Sequence, residues 1–153
     1  MLSDIAAAVV WVDFVTIALH KLLGFGKSLE KWYDHFGILA LVSDCLVIIL
    51  AILVAKMLLP QHPLLYTAVA IQIVHDLIFY QFIIIPTPRG HNQIIDLFKE
   101  YATENSWKIV VYDSMMVAST VLLAQQFGTM KNSSVAFLGL LGAYALTYII
   151  YTK

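Results

Sequence analysis

The chain has 153 residues, 61% of them hydrophobic and only 12% charged, with a formal net charge of −1. Soluble domains run at about 45–50% apolar and about 25% charged residues, so this composition excludes an ordinary soluble domain and places the chain in a membrane. The near-zero total charge carries no electrostatic footprint for nucleic acid. The one cysteine, Cys45, excludes an intrachain disulfide and a C-x-x-C redox centre, and it reads as a small apolar residue inside a helix.

A membrane-crossing helix needs about 20 predominantly apolar residues. Five segments meet that length: Ile5 to Leu23, Phe36 to Leu58, Pro63 to Ile85, Trp107 to Phe127, and Val135 to Tyr151. Helices are expected over strands because a helix satisfies its own backbone in lipid. The start Met-Leu-Ser-Asp lacks a basic region and Asp13 interrupts the first apolar run, so the first segment is expected to be a span and not a signal peptide. Pro63 suits the first turn of the third helix, where a missing N–H costs nothing. The longest connection follows that helix. Within it Asn92 can cap a short helix, in which Ile94, Ile95, Phe98 and Tyr101 form an apolar stripe and Asp96, Lys99, Glu100 and Glu104 face away. The expected fold is therefore an all-α membrane protein, a single bundle over residues 1–153, with five transmembrane helices plus one short amphipathic helix. That helix either lies at the membrane interface or closes the bundle floor. In the fifth segment Gly139, Ala143 and Thr147 form a small-residue seam for packing.

If each segment spans, Lys21, Lys27, Lys31, Arg89, Lys99, Lys108 and Lys153 collect on one side, against Lys56 and Lys131 on the other. Positive loops stay cytosolic, so the N-terminus is expected outside and the C-terminus inside. Trp32, Tyr33, Trp107, Tyr148 and Tyr151 fall near the positive interface, as a headgroup-level aromatic belt would. Arg89, Lys27 and Lys31 form a candidate rim for lipid headgroups, the bilayer being the expected partner, and assembly as a homo-oligomer is compatible with the pattern. Asn132-Ser-Ser has the form of a glycosylation acceptor on the opposite side.

The costly residues are acids within the spans. Asp13, Asp44, Asp76 and Asp113 lie on four different segments, and His75 adjoins Asp76. A central Asp costs about +2.5 to +3.5 kcal/mol on insertion scales, and such residues usually face a bundle interior or wet cavity. At 1.5 Å per residue, Asp113 lies roughly 9 Å, Asp44 roughly 12 Å, Asp76 roughly 13 Å and Asp13 roughly 15 Å from the positive interface. Helical spacing groups Asp13 with Thr16 and His20, Asp44 with Gly37, Ala40, Ala51 and Ala55, Asp76 with Gln72 and Tyr80, and Asp113 with Val117 and Thr120. His20, His35, His62 and His91 read as interfacial surface histidines. Crowded carboxyls in a dry site cannot all be ionised, which suits proton transfer or exchange for a cation. A mixed Asp/His set can also ligate a divalent metal, although the spacing matches no ligand motif. The competing reading is that each acid only glues neighbouring helices together.

His75-Asp-Leu-Ile-Phe-Tyr80, Pro86-Thr-Pro-Arg-Gly-His-Asn92, Ile95-Asp-Leu-Phe-Lys-Glu-Tyr101 and Asp113-Ser-Met-Met116 together resemble an uncharacterised family of small polytopic membrane proteins of giant DNA viruses of algae and protists. The likeness covers less than half of the chain. It implies a viral membrane protein and assigns no ligand or catalytic residue. There is no phosphate loop, G-x-S-x-G elbow, H-E-x-x-H motif or K⁺ filter, so a non-enzymatic role is expected. The leading expectation is movement of protons or another small cation by Asp44, His75, Asp76 and Asp113, with Asp13 secondary. The alternatives are a structural or assembly component of a viral or organellar membrane and, with less support, an intramembrane enzyme acting on a lipid.

Overall fold

The structure, a computed structural model, describes residues 1–24 and 26–152. Lys153, counted above on the positive side, lies outside the described residues. Seven α-helices occur among them: α1 (Leu2–Leu23), α2 (Lys27–Phe36), α3 (Ile38–Leu58), α4 (Leu64–Phe79), α5 (Gln93–Asn105), α6 (Lys108–Phe127) and α7 (Asn132–Ile149). α4 runs on through a π turn at Tyr80–Ile84, where Ile85 N–H reaches back to the Tyr80 carbonyl. Pro86 follows and lacks an N–H, so the helix cannot continue past this point. α1, α3, α4 with its π turn, α6 and α7 are long and apolar enough to cross a membrane. They fall where the apolar runs put them, and they mark an integral membrane protein.

α1 stands at the centre of the bundle, packed against α7, α6 and α3, and α4 closes the other side against α3 and α6. Besides a small cluster of Ala7, Ala8, Phe127 and Val135, two larger apolar cores result. One is built on Val9, Ile48, Ile52, Val117 and Val121. The other, next to α2 and α5, is built on Ile17, Trp32, Leu41, Leu97 and Leu146. In α1 and α3, Asp13 and Asp44 fall between the residues given to the two cores, and Asp113 comes one turn before Val117. The acids thus occupy a polar level between the two apolar ones.

The α1–α7 contact is set by glycine. A Cβ on Gly142 would sit 2.8 Å from Val10 Cγ1 and 3.1 Å from Trp11 Nε1, and Trp11 is itself fixed by donating to the Leu138 carbonyl at 3.0 Å. Close backbone approach through small residues is how membrane helices gain packing. The buried side of α7 is Val135, Gly142, Leu146 and then Ile150. The expected Gly139–Ala143–Thr147 seam is corrected by this register: Gly139 meets Ala7, whereas Ala143 and Thr147 are exposed.

α2 was not among the expected elements. Leu29, Trp32, Tyr33 and Phe36 recur at helical spacing and turn into the second core. Gly26 (φ 143°) and Gly37 (φ 49°) bracket the helix. At Gly37 the backbone turns directly from α2 into α3 in a conformation that favours glycine, and a Cβ there would lie 3.0 Å from the Tyr151 hydroxyl. The first turn of α2 is capped from another helix: Lys27 N–H and Ser28 N–H both donate to the Glu104 carboxylate at 2.9 Å. Two orphan helix-start donors are satisfied by one acid, which also complements the helix dipole.

α5 begins as expected, with Asn92 Oδ1 accepting from Ile94 N–H and Ile95 N–H at 2.9 and 3.2 Å. Its apolar residues Ile95 and Leu97 are buried, with Ile94 and Phe98 packed on the second core. Glu100 and Glu104, outside that stripe, bond to residues of α2. Together α2 and α5 cover the bundle end formed by the start of α3, the π turn and the start of α6.

Candidate functional site: a level of carboxyls between two apolar cores

The site starts with α1 and α3. Asp13 is 1% exposed. Its Oδ2 accepts from the Cys45 thiol at 2.8 Å, and its buried Oδ1 has no protein partner. Asp44, one residue before Cys45, turns toward α2 and accepts from Trp32 Nε1–H at 3.1 Å and from the Tyr33 hydroxyl at 3.1 Å, both on Oδ2. Asp44 lies near enough to Asp13 to act on it electrostatically. Cys45 is therefore a polar partner of the site, not the plain apolar residue expected. Trp32 and Tyr33, expected in the headgroup belt, are buried at 4% and 5% exposure with their polar tips on Asp44. An indole N–H and a phenol O–H usually find a partner when buried, and here that partner is one carboxylate.

The second half lies on α4 and α6. Asp76 Oδ1 accepts from Gln72 Nε2–H at 2.7 Å and lies 3.1 Å from His75 Nδ1, whereas its Oδ2 is buried without a protein partner. Gln72 is 1% exposed and its Oε1 is likewise unpartnered. His75 is at the rim: its side chain is 44% exposed and stacks on Phe79, with ring centroids 5.8 Å apart. Tyr80, expected on the same face, is exposed. Asp113 on α6 feels the charges of both Asp76 and Asp44. The electrostatic chain thus runs Asp13–Asp44–Asp113–Asp76, one acid from each of four membrane-length helices, with His75 on its outer edge. Among the described residues, no group of three His, Cys, Asp or Glu side chains is arranged to hold a metal ion, so the divalent-metal reading has no ligand set here.

The covering helices add two phenols. Burial first, then the charges of Asp44 and Asp13, hold the Tyr33 phenol well above the ordinary tyrosine range. Burial, then the charges of Asp113 and Asp44, push Tyr101 of α5 the same way. Both stay protonated, and Tyr33 donates to Asp44. Glu104 is moved down from its ordinary 4.5 by the bonds it accepts from Ser28 and then Lys27. His20 is another revision: it is buried at 6% exposure, with its ring 6.4 Å from that of Tyr33. Of the expected headgroup rim, Lys31 is bound to Glu100 at 2.7 Å, while Lys27 and Arg89 are exposed.

Compared with family models, curated proteins and solved structures, the chain matches none.

Proposed function

We propose that the protein moves protons, or another small cation, through or into the level of carboxyls. The supporting observation is the convergence of Asp13, Asp44, Asp76 and Asp113 from four membrane-length helices, with buried oxygens on Asp13 and Asp76 that no protein donor fills. Ionisable residues at such depth usually mark ion or proton pathways. Asp44, Asp113 and Asp76 act as successive acceptors, Asp13 shares the proton of Asp44, and His75 exchanges with Asp76 at the rim. The end covered by α2 and α5 faces the cytosol, since Lys21, Lys27, Lys31, Arg89, Lys99 and Lys108 gather there against Lys56 and Lys131 at the other end. The test is pH-gradient-driven flux into liposomes holding the purified protein. Flux is expected from the unaltered chain and its loss when Asp44, Asp76 and Asp113 together become Asn. Absent or unaltered flux overturns the reading.

One observation favours a second reading. Asp13, Asp44 and Asp76 each accept a hydrogen bond from a side chain, as interhelical or intrahelical glue in a structural protein of a viral or organellar membrane would. Stoichiometric recovery from purified particles, with no flux, supports that role.

A further inference from the structure

The four acids describe the interior of a path and leave open how a proton reaches it from water. The end covered by α2 carries a cleft of ≈ 870 Å³ whose walls include His20, Lys27, Glu30, Tyr33, Asp34 and Glu104. Trp32, Tyr33, Cys45, Gln72 and His75 each hydrogen-bond an acid of that level. Of these five, Tyr33 also lines the cleft. Tyr33 is a buried residue of the cleft wall whose hydroxyl donates to Asp44, so this one side chain links the cleft to the acid level.

We propose that the cleft is the aqueous mouth of the acid level and that the Tyr33 hydroxyl is the port through which protons pass between the cleft and Asp44. The inference rests on the transport reading above. In the step, the Tyr33 O–H bond breaks as an O–H bond forms on Asp44 Oδ2, while the phenol oxygen takes a replacement proton from a hydronium in the cleft. One proton moves, hydronium becomes water, and the tyrosine ends as it began. No free phenolate is formed, which fits a phenol held in its neutral form by burial. A hydroxyl can donate and accept at once, whereas an indole N–H only donates. Trp32 therefore holds Asp44 at a comparable distance but cannot relay.

That difference supplies the test. Tyr33→Phe and Trp32→Phe each keep an aromatic ring in place and each remove a donor to Asp44. Flux into liposomes is measured for both beside the unaltered protein, with protein recovery and helicity checked for each. Tyr33→Phe is expected to lower flux about 100-fold, the scale of a lost proton-transfer group. Trp32→Phe is expected to lower it about threefold, the average worth of one membrane hydrogen bond. Equal losses in the two variants mean that Tyr33 only positions Asp44, and they overturn the port. Full flux in Tyr33→Phe also overturns it, while the transport reading stands. No flux from the unaltered protein removes the reading underneath and the port with it.

Discussion

The Cys45 thiol donates to Asp13 Oδ2 across 2.8 Å and ties α3 to α1 at the level of the acids. The other oxygen of that carboxyl is buried without a protein partner. Leaving a buried polar group unmade costs more than the bond itself contributes. Cys45→Ala is therefore expected to destabilise the protein by about 1 kcal/mol, near the upper part of the range for hydrogen bonds in membranes. Cys45→Ser, which keeps a donor, is expected to recover most of that loss. Unfolding in detergent measures both, and equal stability of the Ala and Ser variants would contradict the assignment.

Glu104 makes α2 sensitive to acid. Its folded value lies below the ordinary 4.5 because it accepts from Ser28 and Lys27. A depressed carboxyl contributes stability that is present above the unfolded value and lost as pH falls through the folded one. Protection of the α2 amides relative to their intrinsic exchange rate is thus expected to hold above about pH 4.5 and to fall at lower pH. Glu104→Gln is expected to lower it at neutral pH and to flatten the acid response. An unchanged acid profile in that variant would show that another group controls α2.

Two glycines should behave oppositely. At Gly142 an added methyl meets Val10 Cγ1 at 2.8 Å and the fixed indole of Trp11. Gly142→Ala is expected to cost about 1–3 kcal/mol, the usual range for overpacking. At Gly128 the nearest atoms stand at 3.5 Å, ordinary contact distance, so Gly128→Ala is expected to be nearly neutral. Thermal unfolding of the two variants in one detergent makes the comparison. A neutral Gly142→Ala would mean that α7 is not seated on α1 as described.

The spans were legible in the sequence because uninterrupted apolar runs of membrane length have few alternatives in lipid. The cap at Asn92 was legible for an equally local reason, the reach of its side chain to two N–H groups of the first turn. α2 was missed because it is short and charged, although Leu29, Trp32, Tyr33 and Phe36 follow the i, i+3, i+4, i+7 pattern of an amphipathic helix. That stripe was the available signal. Reading Trp32 and Tyr33 as a headgroup belt used their chemistry without their periodicity. Helical rise gave an expected depth for the acids but not their donors: Cys45 reaches Asp13 across 32 positions, a contact decided by helix packing. In α7, small residues occur at both i+3 and i+4 from Gly139, so spacing alone did not choose Gly142 over Ala143.

The most direct test of the central claim concerns Asp113, which feels the charges of both Asp44 and Asp76 and so joins the two halves of the acid level. Proton flux into liposomes should be compared for Asp113→Asn and for Asp96→Asn, an acid of α5 outside that level whose Oδ2 accepts from Gly90 N–H. The expected result is a loss of about 100-fold or more for Asp113→Asn, on the scale of a removed proton carrier, and retained flux for Asp96→Asn. Flux that survives Asp113→Asn undiminished would contradict a continuous path through the four carboxyls.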